Sequence, residues 1–548
     1  MPGGGVVLAA TTDVNRIEAP VIRKAYLMCA FAAFGGIFFG YDSGYINGVM
    51  GMRYFVHEFT DLPYPAADAT EAEKAAFVIP AWRQSLIVSI LSAGTFIGSI
   101  VAGDVADFLG RRTTIIAGRG IFSAGVIVQV AATAYDLLVA GRLIAGLGVG
   151  FVSAIIILYM SEIAPKRVRG AIVSGYQFCI TVGIMLASCV VYGTQNYTDS
   201  GSYRIPIAIQ WVWALLLGKS VGLACLPESP RYFVKRGELQ KATKALARLR
   251  GQPDDSEYIQ QELAEIVANH EYELRATGEG GYLQTWLNCF KGSIFDPKSN
   301  LRRTILGTSA QMMQQWTGIN FIFYFGTTFF QKLGSINNPF LISLVTTLVN
   351  VFSTPLSFWT VERFGRRPLL IWGALGMVVC QFIIAIARTV DGASPATVKA
   401  EISFICVYIF FFASTWGPGA WVVVGETFPL SIRSRGVALS VASNWLWNCV
   451  IAIITPYMVN PDQGNLGAKV FFVWGALCIG LPLVGLLLAN RGTGLSLEQV
   501  DALLEESTPR KSAKWVPTKT FAREMGIDGS GVLKGEIVED VERRGSVF

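Results

Sequence analysis

Residues 162–169 of this chain read Glu-Ile-Ala-Pro-Lys-Arg-Val-Arg, and the same spacing of acid, proline and arginine returns at 426–433 as Glu-Thr-Phe-Pro-Leu-Ser-Ile-Arg. A second motif behaves in the same way: Asp-Phe-Leu-Gly-Arg-Arg at 107–112 returns as Glu-Arg-Phe-Gly-Arg-Arg at 362–367. The offsets are 264 residues (426 − 162) and 255 residues (366 − 111). Two unlike motifs that repeat in one order at nearly one offset predict a duplicated unit.

The chain around these motifs is apolar. Of its 548 residues, 52% are hydrophobic and 15% are charged, against roughly 25% charged in an ordinary soluble domain. The mean hydropathy is +0.46. Too little charge is present to cover several soluble domains, and the net charge of +6 is too modest to indicate nucleic-acid binding. We therefore expect an integral membrane protein whose surroundings are a lipid bilayer.

Helical spans account for the apolar segments. A helix needs about 20 apolar residues to cross the hydrocarbon core of a bilayer. Together with the repeat, such segments predict an all-α membrane protein with twelve transmembrane helices in two six-helix halves. The twelve segments have centres near residues 36, 95, 123, 149, 181, 216, 318, 350, 378, 413, 447 and 478.

The same segments divide the chain into domains. The polar stretch between spans six and seven has helical character at 231–250 and 257–273, so we expect a short cytoplasmic helical linker there. The charged C-terminal tail is punctuated by Pro and Gly and is expected to be poorly ordered. The predicted divisions are an N-terminal tail (1–23), an N-terminal half (24–226), the linker (227–300), a C-terminal half (301–489) and a C-terminal tail (490–548).

The charges of the short loops predict the orientation. Basic clusters such as Arg111–Arg112 and Arg433–Arg435 fall on one side of a twelve-span chain, and the positive-inside rule places that side and both termini in the cytoplasm. The first 23 residues lack an apolar core, so no cleavable signal peptide is expected. Asn196, in a sequon on the opposite side, is a candidate glycosylation site. We expect a multi-pass protein of the plasma membrane.

Several strings carry a family resemblance. Span one contains Gly35-Gly-Ile-Phe-Phe-Gly-Tyr-Asp42, span six ends in Pro227-Glu-Ser-Pro-Arg-Tyr232, and span seven contains Gln314-Gln-Trp-Thr-Gly-Ile-Asn320. With Gly110-Arg-Arg112 and Gly417-Pro-Gly-Ala-Trp421, the chain resembles the sugar porter family of the major facilitator superfamily, and most of all fungal monosaccharide transporters. The resemblance implies the major facilitator fold, alternating access and a monosaccharide substrate. Glucose is favoured, and xylose, galactose and fructose stay open.

The sequence departs from the family pattern at the end of span twelve. The family usually has Pro-Glu-Thr-Lys-Gly there, whereas this chain has Asn-Arg-Gly-Thr-Gly at 490–494. Arg491 thus replaces the acid and puts one part of the inner charge network in doubt. Two further basic residues, Lys219 in span six and Arg119 in span three, are expected to extend toward the membrane surface rather than to take part in transport.

Acids and arginines at the cytoplasmic helix ends predict a gate. A carboxylate beside two arginines at a helix end forms charge-assisted hydrogen bonds. Such clusters can hold the two halves together on the inner side and separate when a transporter opens inward. The candidate gate residues are Asp107, Arg111, Arg112, Glu162, Arg169, Glu228, Arg231, Glu362, Arg366, Arg367, Glu426 and Arg433.

Neutral amides within the spans predict a sugar site, because a sugar offers many hydroxyls and almost no charge. Gln311, Gln314 and Gln315 share one face of span seven. Asn320 lies about 120° from that face on an ideal helix, so a bend at Gly318 is needed to bring it back. Family residues at these positions bind the sugar; the alternative is hydrogen bonding that only joins helices. The candidate shell is Gln177, Gln314, Gln315, Asn320, Asn350, Asn444 and Asn448, with Trp421 as an aromatic platform.

A carboxylate in the middle of span one predicts proton coupling. Asp42 lies among glycines that permit close helix contact, and in such a place it must be protonated, paired or hydrated. We expect Arg142 of span four to be its partner. The resemblance adds that proton-coupled sugar porters have an acid at this position, whereas many facilitators have a neutral residue. A static ion pair between Asp42 and Arg142 is the structural alternative.

These features predict a secondary active monosaccharide transporter that uses sugar and proton gradients and functions as a monomer. The alternatives are a passive hexose facilitator and a non-transporting sugar receptor. An enzyme is not expected, because the sequence places no Ser/His/Asp set, metal-ligand cluster, phosphate loop or dinucleotide fingerprint where chemistry could occur. Neither a cofactor nor a metal ion is expected.

Overall fold

The chain is helical in a computed structural model that describes residues 23–60, 62–64, 77–165, 168–216, 226–277, 282–332, 338–392, 394–481, 495, 497–506 and 515. Within those ranges the regular structure is entirely helical. The helices of the first half are α1 (Arg23–Ala33), α2 (Gly35–Val49), α3 (Arg53–Thr60), α4 (Ala81–Leu109), α5 (Arg111–Ala131), α6 (Tyr135–Ile163), α7 (Arg169–Thr194), α8 (Gly201–Ala208) and α9 (Gln210–Leu216).

The second half follows a set of linker helices. These are α10 (Pro230–Lys235), α11 (Leu239–Arg250), α12 (Glu257–Thr277) and α13 (Tyr282–Asn288). The helices of the second half are α14 (Asn300–Trp316), α15 (Ile319–Lys332), α16 (Pro339–Ser353), α17 (Leu356–Phe364), α18 (Arg366–Asp391), α19 (Pro395–Ser414), α20 (Trp416–Thr427), α21 (Arg433–Val459) and α22 (Val470–Ile479). A last helix, α23, covers Leu497–Glu506.

The predicted twelve-span fold is confirmed. Eight helical segments of the described chain are long and apolar enough to cross a membrane, and a ninth is added if α16 and α17, bent by 42°, count as one. The other three predicted spans, near residues 216, 318 and 478, contain the shorter helices α8 and α9, α14 and α15, and α22. Each of the twelve predicted positions therefore lies in a helix of the described residues or, for residue 318, at the break between two helices.

Glycines bring α2 directly onto α7. Gly36 and Gly40 face the backbone carbonyls of Tyr176 and Ile180, and a Cβ atom at either glycine would collide with them. The small-residue face predicted around Asp42 is thus a close helix contact, as glycine repeats allow in membranes. Because the two backbones touch, the position of Asp42 relative to α7 is fixed by the main chain.

The two halves meet along four sets of helices: α4 packs on α21, α2 on α15, α7 on α16, α17 and α20, and α6 on α20 and α21. The linker has its own small core, in which Leu246, Ile259 and Leu263 are buried. It also binds both halves, since Arg250 donates to the carbonyl of Ile163 (2.8 Å) and Glu273 accepts from the backbone N–H of Leu430 (2.8 Å). The end of the bundle where these contacts lie is called the linker end below.

Residues 497–506 of the C-terminal tail form α23, so the prediction of a poorly ordered tail from residue 490 is wrong for this segment. This helix docks on the linker end through two buried ion pairs, Arg231–Glu498 and Arg303–Asp501. Burial works against the charge of Glu498, but the Arg231 guanidinium still holds the pKa of that carboxyl below its usual range. These ion pairs hold α23 on the bundle. The amino-acid composition of the tail does not show that its acids have arginine partners elsewhere in the chain, which is why the prediction failed here.

We expect Asp501→Ala to lower the stability of the folded protein by about 3 kcal/mol, because the buried Arg303 charge loses its closest partner and keeps only the longer contact with Glu505, at 3.4 Å. The apparent melting temperature in detergent measures this. Glu506→Ala removes an exposed acid from the same helix and is the control. The combined change Arg303→Met and Asp501→Leu should recover most of the loss. A melting temperature for Asp501→Ala equal to that of the control would contradict the role of the pair.

Three further sequence features have different outcomes. Arg119 donates to the carbonyl of Ala214 on α9 at 3.3 Å, so its side chain contacts the neighbouring span. Asn196 is exposed just past the end of α7, opposite the linker end, as a glycosylation site requires. Lys219 and Arg491 lie outside the described residues.

Candidate functional site

A break in span seven organises the centre of the bundle. α14 ends at Trp316, α15 begins at Ile319, and Gly318 between them has φ +80°, a conformation that favours glycine. The carbonyl of Thr317, left without a helical partner, accepts from Gln381 Nε2 (2.7 Å) and Tyr408 Oη (2.8 Å). The predicted bend at Gly318 is therefore present and is stabilised from α18 and α19.

Glutamine and asparagine side chains form one hydrogen-bonded network beside this break. Asn444 Nδ2 donates to Gln311 Oε1 (2.6 Å) and Gln314 Oε1 (2.8 Å). Gln314 Nε2 in turn donates to the carbonyls of Gly417 (2.7 Å) and Trp416 (3.2 Å). These contacts join α14, α20 and α21 through neutral groups, each buried.

The network continues across the break and into the first half. Asn320 donates to Gln315 Oε1, as the bend permits. Asn448 Nδ2 donates to Tyr324 Oη (3.1 Å) and, more weakly, to Gln315 Oε1 (3.4 Å). Asn448 Oδ1 accepts from Ser92 Oγ (2.8 Å) on α4. The amide cluster therefore spans the boundary between the two halves.

The predicted aromatic platform is part of the same region. Trp421 Nε1 donates to Gln177 Oε1 (3.0 Å), which joins α20 to α7. Trp421 is 2% exposed and packs edge-on against Tyr176. Gln177 also lies next to Gly417, where an added Cβ would stand 3.4 Å from its Nε2. Because Gly417 also accepts from Gln314, the tryptophan pair and the amide network are neighbours.

Asn350 is the predicted shell residue that the network does not include. Its side chain is 1% exposed, and neither amide atom has a hydrogen-bond partner among the described residues. Conversely, Tyr324 and Ser92 belong to the network and the sequence analysis missed them. Tyr324 follows Asn320 by four residues on α15, so helical spacing could have identified it; the position of Ser92 depends on tertiary packing alone.

The expected direct pair between Asp42 and Arg142 is not formed. Arg142 donates from Nε to the carbonyl of Ile87 and from Nη1 to the hydroxyl of Tyr45, both at 2.6 Å. The Asp42 carboxylate is 0% exposed, and neither oxygen has a hydrogen-bond partner among the described residues. The static ion pair is therefore excluded for this conformation, because neutral acceptors already take up the arginine.

Two matching ion pairs lie at the linker end, one in each half. Arg111 binds Glu162 through two hydrogen bonds of 3.1 Å each, and Arg366 binds Glu426 through two of 3.1 and 2.7 Å. These four residues are the arginine and acid positions of the two repeated motifs. The same bidentate geometry on both sides confirms at the level of side chains that the repeat is structural.

An acid from each half reaches the other half. Asp107, at the end of α4, accepts from Ser434 Oγ (2.6 Å) at the start of α21. Glu362, at the end of α17, accepts from the backbone N–H of Ala171 (3.1 Å) at the start of α7. Acids are favoured next to helix N-termini, so these related contacts close the linker end on both sides.

The remaining candidate gate residues have other partners. Glu228 accepts from the backbone N–H groups of Arg111 (3.0 Å) and Arg112 (3.1 Å), while burial raises its pKa above the usual range. Arg169 donates to the carbonyl of Leu495 (3.2 Å), and Arg433 donates to that of Phe428 (2.8 Å). Arg231 binds Glu498 of α23, and the side chains of Arg112 and Arg367 are half-buried beside the two main pairs.

Comparisons with known proteins show the family of the chain. A family model described as "Sugar (and other) transporter" matches residues 28–504. The major facilitator-type transporter ecdD of Aspergillus rugulosus is 44% identical over 522 residues, 92% of each chain. The probable glucose transporter rco-3 of Neurospora crassa is 41% identical over 519 residues, 93% of this chain and 84% of that one.

A glucose sensor and a solved symporter are also similar. The high glucose sensor RGT2 of Saccharomyces cerevisiae is 40% identical over 94% of this chain, which corresponds to 65% of the sensor. The proton:xylose symporter XylE, bound to 6-bromo-6-deoxy-D-glucose, superimposes with a TM-score of 0.72 and 24% identity over 88% of this chain and 99% of XylE. At that identity the likeness concerns the fold.

Proposed function

Because the chain belongs to the sugar porter family of the major facilitator superfamily, we propose that it is a secondary active transporter that carries a monosaccharide together with a proton. Glucose is the favoured sugar, since relatives at 41% and 36% identity are named as glucose transporters. The substrate binds at the amide network beside the break in span seven. Sugar and proton gradients supply the driving energy.

The chemistry of the network supports a sugar site. Amide groups can both donate to and accept from hydroxyls, and the unpartnered amide of Asn350 is free to bond a ligand. The indole of Trp421 offers a flat face next to the network. Substrates of many transporters bind near the midplane at broken helices between two repeats, and the break at Gly318 gives this chain a broken helix beside the amide network.

The observation that supports proton coupling is the Asp42 carboxylate, which is buried and has no hydrogen-bond partner among the described residues. An ionised carboxylate without partners in an apolar interior is costly, by several kcal/mol, so in this conformation Asp42 holds a proton. The helix that carries it also contacts the sugar region, because Asn47 Oδ1 accepts from the backbone N–H of Thr327 on α15 (2.9 Å). This contact links a movement of α2, which carries Asp42, to a movement of α15, which carries Asn320.

The linker end is the cytoplasmic side in this proposal, since the basic loops of both motifs lie there, and the membrane is the plasma membrane. The two halves rock about the central site, and the contacts of Asp107 and Glu362 with the opposite half must break for the sugar to leave inward. Asp42 releases its proton to the cytoplasm in that open state.

Glu362→Gln is expected to open the linker end more often, because a neutral amide holds the start of α7 and Arg366 less tightly than a carboxylate does. A loss of about 1–2 kcal/mol corresponds to a five- to thirtyfold change in population. Labelling of a cysteine at buried Ser161 by an impermeant maleimide from the linker side should speed up accordingly. Glu257→Gln makes the same charge change on the exposed linker surface and is the control. Equal labelling rates in the two variants would remove Glu362 from the gate.

Uptake by proteoliposomes tests the whole proposal. We expect radiolabelled glucose to accumulate when the outside is more acidic than the lumen, and competition with other hexoses and with xylose to rank the substrates. Uptake that only equilibrates and ignores the pH gradient would indicate a passive facilitator. Binding without any uptake would indicate a receptor, the function named for one relative that is 40% identical.

A further inference from the structure

Two neutral acceptors hold the buried guanidinium of Arg142. The carbonyl of Ile87 accepts from Nε and the hydroxyl of Tyr45 accepts from Nη1, each at 2.6 Å. The guanidinium also lies over the ring of Tyr45, 5.7 Å from its centroid. Hydrogen bonds from a charged donor are about twice as strong as neutral ones. Tyr45 is therefore a principal partner of this arginine.

The orientation of the Tyr45 hydroxyl is fixed by a second bond. Its proton is donated to Gln129 Oε1 at 2.7 Å, so the oxygen lone pairs face the arginine. Gln129 Nε2 donates back to the carbonyl of Gly141, the residue before Arg142, at 3.4 Å. Tyr45 is 1% exposed and Gln129 0%. The three side chains form a closed and buried arrangement between α2, α5 and α6.

Asp42 lies on the same face of α2 as Tyr45, three residues earlier in the chain. The titratable groups that face it are Arg142 on α6, Tyr45 on its own helix and Tyr324 on α15. α9 has no charged residue, and Arg204 of α8 lies over the ring of Tyr203. The other charged residues of the described helices packed on α2 belong to other parts of those helices: Arg23, Lys24, Asp136, Glu162, Arg169 and Lys332.

We propose that Tyr45 is a positioning residue for proton coupling: its hydroxyl holds Arg142 while Asp42 carries a proton and yields the arginine when Asp42 ionises. The inference rests on the proposed function, in which Asp42 binds the coupled proton. A neutral Asp42 exerts no net charge attraction on Arg142, whereas an ionised Asp42 attracts the guanidinium strongly. Asp42 and Tyr45 thus compete for one guanidinium, and the phenol sets how readily the proton is released.

Tyr45→Phe removes the competing acceptor and keeps the ring. Arg142 Nη1 then loses its phenol acceptor, so an ionised Asp42 attracts the guanidinium without competition from Tyr45. The loss of one hydrogen bond to a charged group changes the free-energy difference between the protonated and the ionised form of Asp42. The change is equivalent to about one pH unit. We expect the midpoint of the pH dependence to move toward acid by about that amount, with the affinity at low pH retained.

The test measures D-glucose affinity of the purified full chain against pH by tryptophan fluorescence, so that transport is not required. Tyr41→Phe is the matched control, because its buried hydroxyl lies on the same helix and has no hydrogen-bond partner among the described residues. An acid shift in Tyr45→Phe with an unchanged Tyr41→Phe profile supports the role of Tyr45. Equal profiles in wild type and Tyr45→Phe, or equal shifts in both variants, overturn it while proton coupling stands. A wild-type affinity that does not vary with pH overturns both.

Discussion

Asp42→Asn is expected to abolish accumulation of sugar against its gradient while sugar binding and sugar-for-sugar exchange persist. In this structure the Asp42 carboxylate is fully buried and receives no hydrogen bond from the part of the chain that the structure describes. Asparagine has nearly the same shape as the protonated acid and is equally neutral, so it preserves the conformation described above. It cannot release a proton when the linker end opens. The coupled cycle stops, and the exchange steps that need no proton continue.

Two measurements on the same proteoliposomes separate these effects. A pH-sensitive dye inside the vesicles should show acidification of the lumen on adding sugar for the wild type and none for Asp42→Asn. Counterflow of labelled glucose should continue in both. Asp136→Asn, which neutralises an exposed acid at the start of α6, should behave as the wild type. If Asp42→Asn still accumulates sugar with an imposed pH gradient, then another group carries the proton.

The sequence predicts the fold better than it predicts which side chains contact each other. Twelve apolar segments and two repeated motifs are sufficient for the architecture, because membrane helices are specified by composition along the chain. The repeat also identifies the residues of the most regular contacts, the bidentate pairs Arg111–Glu162 and Arg366–Glu426. The sequence grouped these four residues as gate candidates, and the pairing between the two motifs of each half comes from the structure.

Contacts outside the repeat are predicted poorly. Arg142 contacts Tyr45 and Ile87 instead of Asp42, because the closest acceptor depends on the packing of α2, α4 and α6, which no spacing along the chain encodes. The docking of α23 was missed for the same reason, since Glu498 finds Arg231 in the distant linker. Spacing within one helix was sufficient to place Gln315 near Asn320 once the break at Gly318 was recognised.

Gln315→Ala is expected to weaken glucose binding by about 10- to 100-fold, which corresponds to losing hydrogen bonds worth about 1.5–3 kcal/mol. Gln315 joins both sides of the helix break, since its Oε1 accepts from Asn320 on α15 and from Asn448 on α21. Its amide nitrogen remains available for a sugar hydroxyl. Truncation therefore removes a ligand contact and releases the two asparagines that frame it.

Affinity and stability measured together distinguish a substrate contact from a contact that only joins helices. If Gln315 binds sugar, then Gln315→Ala loses affinity by the expected factor, and the rise in melting temperature that glucose gives the wild type shrinks, because ligand stabilisation follows occupancy. If it only joins helices, the melting temperature without sugar falls and affinity hardly changes. Gln260→Ala removes a similarly buried amide from α12 of the linker, outside the network, and should keep affinity within about twofold, a difference of less than 0.5 kcal/mol by the relation of affinity to free energy. Loss of affinity in both variants would mean that any buried amide matters, and the network would then be structural.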